Sequence, residues 1–289
     1  MTCKAQSLRG TMILLFSCLL LIGGTQMNAQ NGESFGSLSY NKAVNVSGKQ
    51  RMLGQKLAKA YVYLVNNPTD TKAKRDMKVS KLVFEKQNAI LMANTNSELV
   101  RTRLSTVNTI WSEYSKLFDA TPTKANAKKV LAMNTDLLKA SNDVVKAIIR
   151  ESAMAVSGEE DLDSEGYADD SNSLKNIINT CGKQRMLSQR LALYYFGSGK
   201  TLKDKDAGIT LKQVYFELDS ALGTLLISEY NTSRIDEKLA IAMTKWEALK
   251  DNTERLYDHQ IADAEIYKLS DALTKAFNDV TALYEKVKI

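Results

Sequence analysis

Apolar residues recur every three or four positions along most of this chain, and nowhere do they alternate with polar ones over the length of a strand. The positions between them are rich in Ala, Leu, Lys, Glu, Gln and Met, which lose little rotamer freedom in a helix. The pattern predicts helices over about 38–66, 69–95, 98–119 and 122–154, and again over about 171–197, 206–229, 232–258 and 260–287. The two prolines, Pro68 after Asn67 and Pro122 after Thr121, fit first helical positions behind a capping residue. Between the two sets lies 158–170, GEEDLDSEGYADD, an acidic and glycine-containing stretch that reads as a linker. Amphipathic helices joined by short turns bury their apolar stripes as up-and-down bundles. The expected fold is all-α: two tandem antiparallel four-helix bundles, residues 30–157 and 171–289, forming an internal pseudo-dimer.

The two sets share a signature. GKQRMLGQKLA at 48–58 returns as GKQRMLSQRLA at 182–192, changed only at Gly54/Ser188 and Lys56/Arg190. Weaker pairings follow: Phe84-Glu85 with Phe216-Glu217, Trp111 with Trp246, and Asn142-Asp143 with Asn278-Asp279. One unit duplicated accounts for them. Both tryptophans, at matching helical positions, are expected to anchor cores.

Residues stepping about 100° around a helix axis sort the first predicted helix of each set into two faces. One carries Val46, Leu53, Leu57, Tyr61 and Leu64, with Thr180, Leu187, Leu191, Tyr195 and Ser198 as counterparts. This is the face toward the helix's own bundle. The other carries Val44, Gly48, Arg51, Gln55, Ala58 and Val62, matched by Ile178, Gly182, Arg185, Gln189, Ala192 and Phe196. It is apolar at both ends, small at glycine and alanine, and polar in the middle. A helix with two such faces packs on two sides, and glycine lets a second backbone come close. The second face therefore meets either its counterpart or a separate partner helix. Packing the two faces together brings Arg51 near Arg185. Two guanidiniums across a partly apolar seam repel, and their desolvation is costly without an anion between them. No Asp or Glu occurs between Ser34 and Thr69, or between Ser171 and Lys203. A positive seam of this kind attracts a small anion, and the planar fork of arginine suits a planar oxyanion. Gln55 and Gln189, one turn on, can donate amide hydrogen bonds. The competing reading pairs each arginine with a carboxylate from a neighbouring helix.

Charge and cysteines narrow the setting. Lys4 and Arg9 open a segment whose stretch 11–22 is almost wholly apolar, followed by Gly-Gly and a short polar run to Ala29. This reads as a secretory signal over 1–29, cleaved after Ala29. About 12 apolar residues fall short of the roughly 20 that span a bilayer, and no later stretch does better. An exported, periplasmic or otherwise extracytoplasmic protein without a membrane span is expected. The signal removes two charges from a formal net charge of +6, leaving a mildly basic chain without the clustered basic surface of a nucleic-acid binder. Cleavage also removes Cys3 and Cys18, leaving Cys181 alone, so no internal disulfide forms. Cys181 reads as a buried apolar residue, with an intermolecular disulfide as the alternative. His259, the single histidine, reads as a surface residue. The chain carries no Cys/His metal spacing, glycine-rich phosphate loop or nucleophile motif. No enzyme activity, metal or cofactor is expected.

The repeated motif resembles the first helix of the periplasmic sensor domain shared by nitrate/nitrite sensor histidine kinases and pilus-type (PilJ-like) methyl-accepting chemotaxis transducers. In that family it reads roughly Asn-x-Ala/Ser-Gly-x-x-Arg-Met-x-Ser-x-Arg. Asn45, Ser47, Gly48, Arg51 and Met52 fit it in the first copy, and Asn179, Gly182, Arg185, Met186, Ser188 and Arg190 in the second. Cys181 takes the small position of the second copy, while Gly54 and Lys56 depart from the pattern in the first. The resemblance implies an antiparallel four-helix bundle that pairs through its first helix and binds nitrate or nitrite between two motif arginines. It thereby implies that Arg51 and Arg185 are those arginines, with Gly48, Gly182, Gln55 and Gln189 around them and both half-sites in one chain. It further implies a sensory or ligand-binding role and a membrane-bound signalling partner. The alternative is a structural module of the cell envelope that docks a partner helix through the same stripe.

Overall fold

Six oxygen-bearing side chains set where helices begin. Ser39, Asp70, Ser97, Ser173, Asp204 and Thr232 each accept a hydrogen bond from the backbone N–H three residues on, which satisfies one of the donors that a helix start leaves free. The computed structural model describes residues 34–157 and 173–288. The expected signal over 1–29 and the acidic linker over 158–170 lie outside the described residues. A two-residue hairpin, β1 (Ser34–Phe35) and β2 (Leu38–Ser39), leads into α1 (Tyr40–Leu64). There follow α2 (Thr71–Asn94), α3 (Glu98–Tyr114) with a 3-10 turn at Ser115–Phe118, and α4 (Lys124–Ser157). The C-terminal half holds α5 (Leu174–Ser198), α6 (Lys205–Leu226), α7 (Ser233–Lys250), the short α8 (Thr253–Tyr257) and α9 (Asp263–Tyr284).

The fold is an all-α helical bundle, as the apolar spacing predicts. In the N-terminal half α1 packs on α2 and α4, and α3 packs on α4. In the C-terminal half α5 packs on α6 and α9, and α7 packs on α9. The most extensive helix–helix contact joins the halves, between α1 and α5. Most residues of both helices are therefore buried, and the two-faced reading of their sequences is what this demands. The second face of α1 meets its counterpart on α5 rather than a separate partner helix. Contacts climb both helices in step: Gly48 lies near Arg185, Gln55 bonds to Arg190, and the Tyr63 ring packs tilted against that of Phe196 at 5.3 Å. The two helices thus run side by side in the same direction.

Each half is anchored by a tryptophan, as expected. Trp111 stacks on Phe84 at 4.1 Å and donates to Glu85, while Trp246 packs on Tyr215 at 4.9 Å and donates to Asp219. Burying aromatic rings of this size stabilises by roughly 1.5–3 kcal/mol each. Here the sequence pairing needs correction. Tyr215, not Phe216, occupies the place of Phe84, and Phe216 is 66 % exposed. One position along a helix turns a side chain by about 100°, so a slip of one residue moves the ring from core to solvent.

Other expectations shift at the ends of elements. Pro68 and Pro122 precede their helices instead of opening them, because Asp70 caps α2 and the Thr123 hydroxyl accepts from Asn126 N at 3.2 Å. The helix predicted over 232–258 is interrupted after Lys250 and resumes as α8. His259 follows in the left-handed region at φ 53, with its ring 4.7 Å from that of Tyr195. It is half-buried by that contact rather than lying free on the surface. The hairpin before α1 was not expected. It closes around Gly36 at φ 60, and Asn94 Oδ1 accepts from Ser37 N at 2.8 Å.

Candidate functional site

Arg51 and Arg185 leave α1 and α5 within the seam, and both side chains are buried, at 2 % and 0 % exposure. Helical side chains lean toward the N-terminus of their own helix, so each arginine reaches back across the seam. Arg51 donates from Nη1 to Asn142 Oδ1 on α4 at 2.7 Å, and from Nη2 to Asn179 Oδ1 on α5 at 2.7 Å. Arg185 repeats the arrangement from the other side. Its Nη1 donates to Asn45 Oδ1 on α1 at 2.8 Å and to Asn278 Oδ1 on α9 at 3.2 Å. Each guanidinium also reaches the backbone carbonyl of the asparagine opposite, Asn179 O at 3.3 Å and Asn45 O at 3.4 Å.

Two glycines make room for this convergence. A Cβ on Gly48 would stand 3.4 Å from the Nη2 of both arginines, and one on Gly182 would stand 3.0 Å from Arg185 Nη2 and 3.6 Å from Arg51 Nη2. Both guanidinium ends therefore lie over the same pair of glycines. Alanine at 182 gains roughly 0.5–1 kcal/mol of helix propensity but displaces a flexible guanidinium. Gly182→Ala is predicted to keep or slightly raise the unfolding midpoint while blunting any response to small anions. Gly48→Ala, with only ordinary contact distances, should do less. A midpoint titration of both variants with nitrate checks the order, and equal retention of the wild-type response by both would overturn it.

The electrostatics are one-sided. Among the described residues, every oxygen that the two arginines reach belongs to a neutral amide or a backbone carbonyl, and neither arginine pairs with a carboxylate. Each Nε–H is buried and has no acceptor among the described residues. Burial first, then the neighbouring Arg185, pulls the Arg51 guanidinium down to about 9. Burial likewise pulls Arg185 down to about 10, against the opposing influence of Cys181 and Glu285. Both remain cationic at neutral pH. Two like charges in one buried, amide-lined seam are the arrangement that a small anion stabilises most, because its charge offsets both and its oxygens can accept the spare N–H groups.

The other residues singled out from sequence divide. Gly48 and Gly182 join the arginines. Gln55 and Gln189 do not turn their amides to them. Gln189 Nε2 donates to Thr274 Oγ1 at 2.7 Å, to Asp271 Oδ1 and to Ser270 O, all on α9. Gln55 Oε1 accepts from Arg190 Nη1 at 3.3 Å. They belong to a second polar layer further along the seam. There Arg190 also donates to Asn134, and the fully buried Lys59 meets Ser270 at 3.0 Å and Asp271 at 2.8 Å. Cys181 is buried, with its Sγ near Phe277 O and accepting from Thr281 Oγ1. No sequence argument assigned the four asparagines to the arginines. Asn45 and Asn179 stood in the motif, and Asn142 and Asn278 stood in the repeat pairing. A neutral oxygen placed twice, at matching positions on the fourth long helix of each set, was the available signal.

No group of His, Cys, Asp and Glu among the described residues is arranged to hold a metal ion. Among the same residues no helix is long and apolar enough to cross a membrane. Residues 34–137 match the family model of the type IV pili methyl-accepting chemotaxis transducer N-terminal domain, a sensory and non-enzymatic family. The match spans the hairpin, α1 to α3 and the start of α4, and includes Gly48 and Arg51. It supports that family for the N-terminal half. No curated protein and no solved structure matches the chain.

Proposed function

We propose that this is an extracytoplasmic sensory or binding protein that holds one small planar oxyanion, nitrate or nitrite, between Arg51 and Arg185. On this reading the halves are one sensor unit duplicated, 30–157 and 171–289, and the chain supplies both half-sites that the family resemblance implies. The observation that carries it is the pair of buried guanidiniums over Gly48 and Gly182, each bonded, among the described residues, to neutral oxygens alone and each with an Nε–H that has no acceptor there. The motif around Arg51 and the sensory family matched by residues 34–137 point the same way. Charge neutralisation in the seam changes how tightly α1 and α5 pack, and a membrane-bound signalling partner reads that change. A ligand shifts such an equilibrium only by its differential affinity for the two packings, and a buried like-charge pair gives an anion that difference.

Thermal unfolding against nitrate, nitrite, sulfate, phosphate and chloride at constant ionic strength tests the reading. At 100 times its dissociation constant a ligand stabilises by roughly 2.7 kcal/mol, an easily resolved shift in midpoint. A selective shift with nitrate or nitrite is the expected outcome. A flat response across the panel sinks the proposal.

A further inference from the structure

Among the described residues one carboxylate is wired to the arginine pair, through its Arg185 half. Glu285, at the C-cap of α9, has a side chain only 16 % exposed. Lys42 Nζ meets its Oε1 at 3.0 Å, and Asn45 Nδ2 donates to its Oε2. The same Asn45 accepts from Arg185 Nη1 at 2.8 Å. One amide therefore bridges the Arg185 guanidinium and a half-buried carboxylate. The Arg51 half reproduces the arginine, the glycine and both asparagines, but among the described residues no carboxylate is bonded to Asn179. Lys42 lies on the outer side of the carboxylate and is about half exposed, at 47 %.

We propose that Glu285 is a tethered counter-charge that competes with the incoming oxyanion for the field of the arginine pair, and that Lys42 sets how strongly it competes. The inference rests on the anion site proposed above. Without a ligand, the negative charge behind Asn45 offsets part of the repulsion between the buried guanidiniums. Once an anion occupies the seam, the same charge repels it. Lys42 draws the carboxylate outward and cancels part of its field. The Lys42–Glu285 pair thus tunes affinity without touching the ligand, and it makes the Arg185 half the weaker of the two.

Isothermal titration of the full chain with nitrate distinguishes the possibilities. Glu285→Gln keeps an oxygen for Asn45 Nδ2 and removes the charge, so affinity should rise about three- to tenfold for one charge removed at an effective dielectric near 20 with salt screening. Lys42→Gln leaves the carboxylate uncompensated and should weaken binding by a similar factor. A positional role for Glu285, holding Asn45 in place, predicts weaker binding in the glutamine variant instead. Tighter binding in Glu285→Gln with weaker binding in Lys42→Gln supports the proposal. If the wild type binds nitrate and Glu285→Gln binds it equally or more weakly, this inference falls and the anion site stands. If the wild type binds neither nitrate nor nitrite, both fall. Lys42→Gln changes a half-exposed residue, so the fold survives in at least one arm, and circular dichroism of both variants excludes unfolding as the cause of a loss.

Discussion

Arg185→Ala is expected to lower the affinity for nitrate or nitrite about 100-fold while the protein stays folded. A charge-assisted hydrogen bond contributes about 1.5–3 kcal/mol, and an arginine facing a planar oxyanion offers two. Losing about 2.7 kcal/mol corresponds to that factor of about 100. Stability changes less, because two effects oppose. Truncation strands the Oδ1 atoms of Asn45 and Asn278, now satisfied by Arg185 Nη1, at about 1–3 kcal/mol for each buried acceptor left unmade. It also removes one of two buried like charges, and burial alone already disfavours the charge at both arginines. Arg51→Ala should behave alike, since Asn142 and Asn179 hold it as Asn278 and Asn45 hold Arg185. Arg51→Lys keeps a charge but not the fork, and should recover only part of the affinity. Calorimetry with nitrate, alongside circular dichroism, reads both quantities. Wild-type affinity in both alanine variants would remove the arginines from the site.

Asp271→Asn should destabilise the protein by about 3–5 kcal/mol near neutral pH, the usual cost of breaking a buried ion pair from one side. Lys59 is fully buried on α1, and Asp271 of α9 is its carboxylate partner at 2.8 Å. The ammonium also lies 3.8 Å from the centre of the Tyr267 ring. Asp271 further accepts from Lys72 and from Gln189, so one substitution unties α1, α2 and α5 from α9. The loss should depend on pH. Burial outweighs the attraction of Asp271 and lowers Lys59 from 10.5 to about 8. Between about pH 8 and 10.5 the unfolded chain then binds more protons at this lysine than the folded chain does, so stability rises with pH across that window. Without Asp271 the lysine falls further and sheds its proton at lower pH, so the penalty is greatest at pH 6 and shrinks toward pH 9. Denaturant midpoints at both pH values check this. Adding Lys59→Met to Asp271→Asn should recover most of the loss, and no recovery would mean that the ion pair is not the cause.

Both results turn on contacts between halves that lie far apart in sequence, and this divides what the sequence could reveal from what it could not. The second face of α1 was legible because it is local: Gly48, Arg51 and Gln55 fall on one side by rotation alone. The convergence of Arg51 and Arg185 followed from pairing two like faces. The acceptors did not follow, because Asn142 and Asn278 sit on helices whose rotation against α1 and α5 is fixed by bundle packing. Lys59 and Asp271 were overlooked for the same reason. Each is an ordinary charged residue within its own helix, and only the packing of α1 and α9 makes them a buried pair. Gln55 and Gln189 show the opposite error, for correct placement on a helix face does not say which neighbour an amide will choose. Tyr215 and Phe216 show that aligned sequences alone leave a one-residue ambiguity that only the core resolves.

The seam between α1 and α5 is made within a single polypeptide. Closing it is a first-order event, so the packing of these two helices does not loosen on dilution as a seam between separate subunits does. The two arginines are also encoded separately. A mutation in a symmetric homodimer strikes both sides at once, whereas here either side can change alone. One side can be retained while the other takes a different charge, size or ligand; among the described residues a carboxylate, Glu285, bonds to Asn45 and none bonds to Asn179.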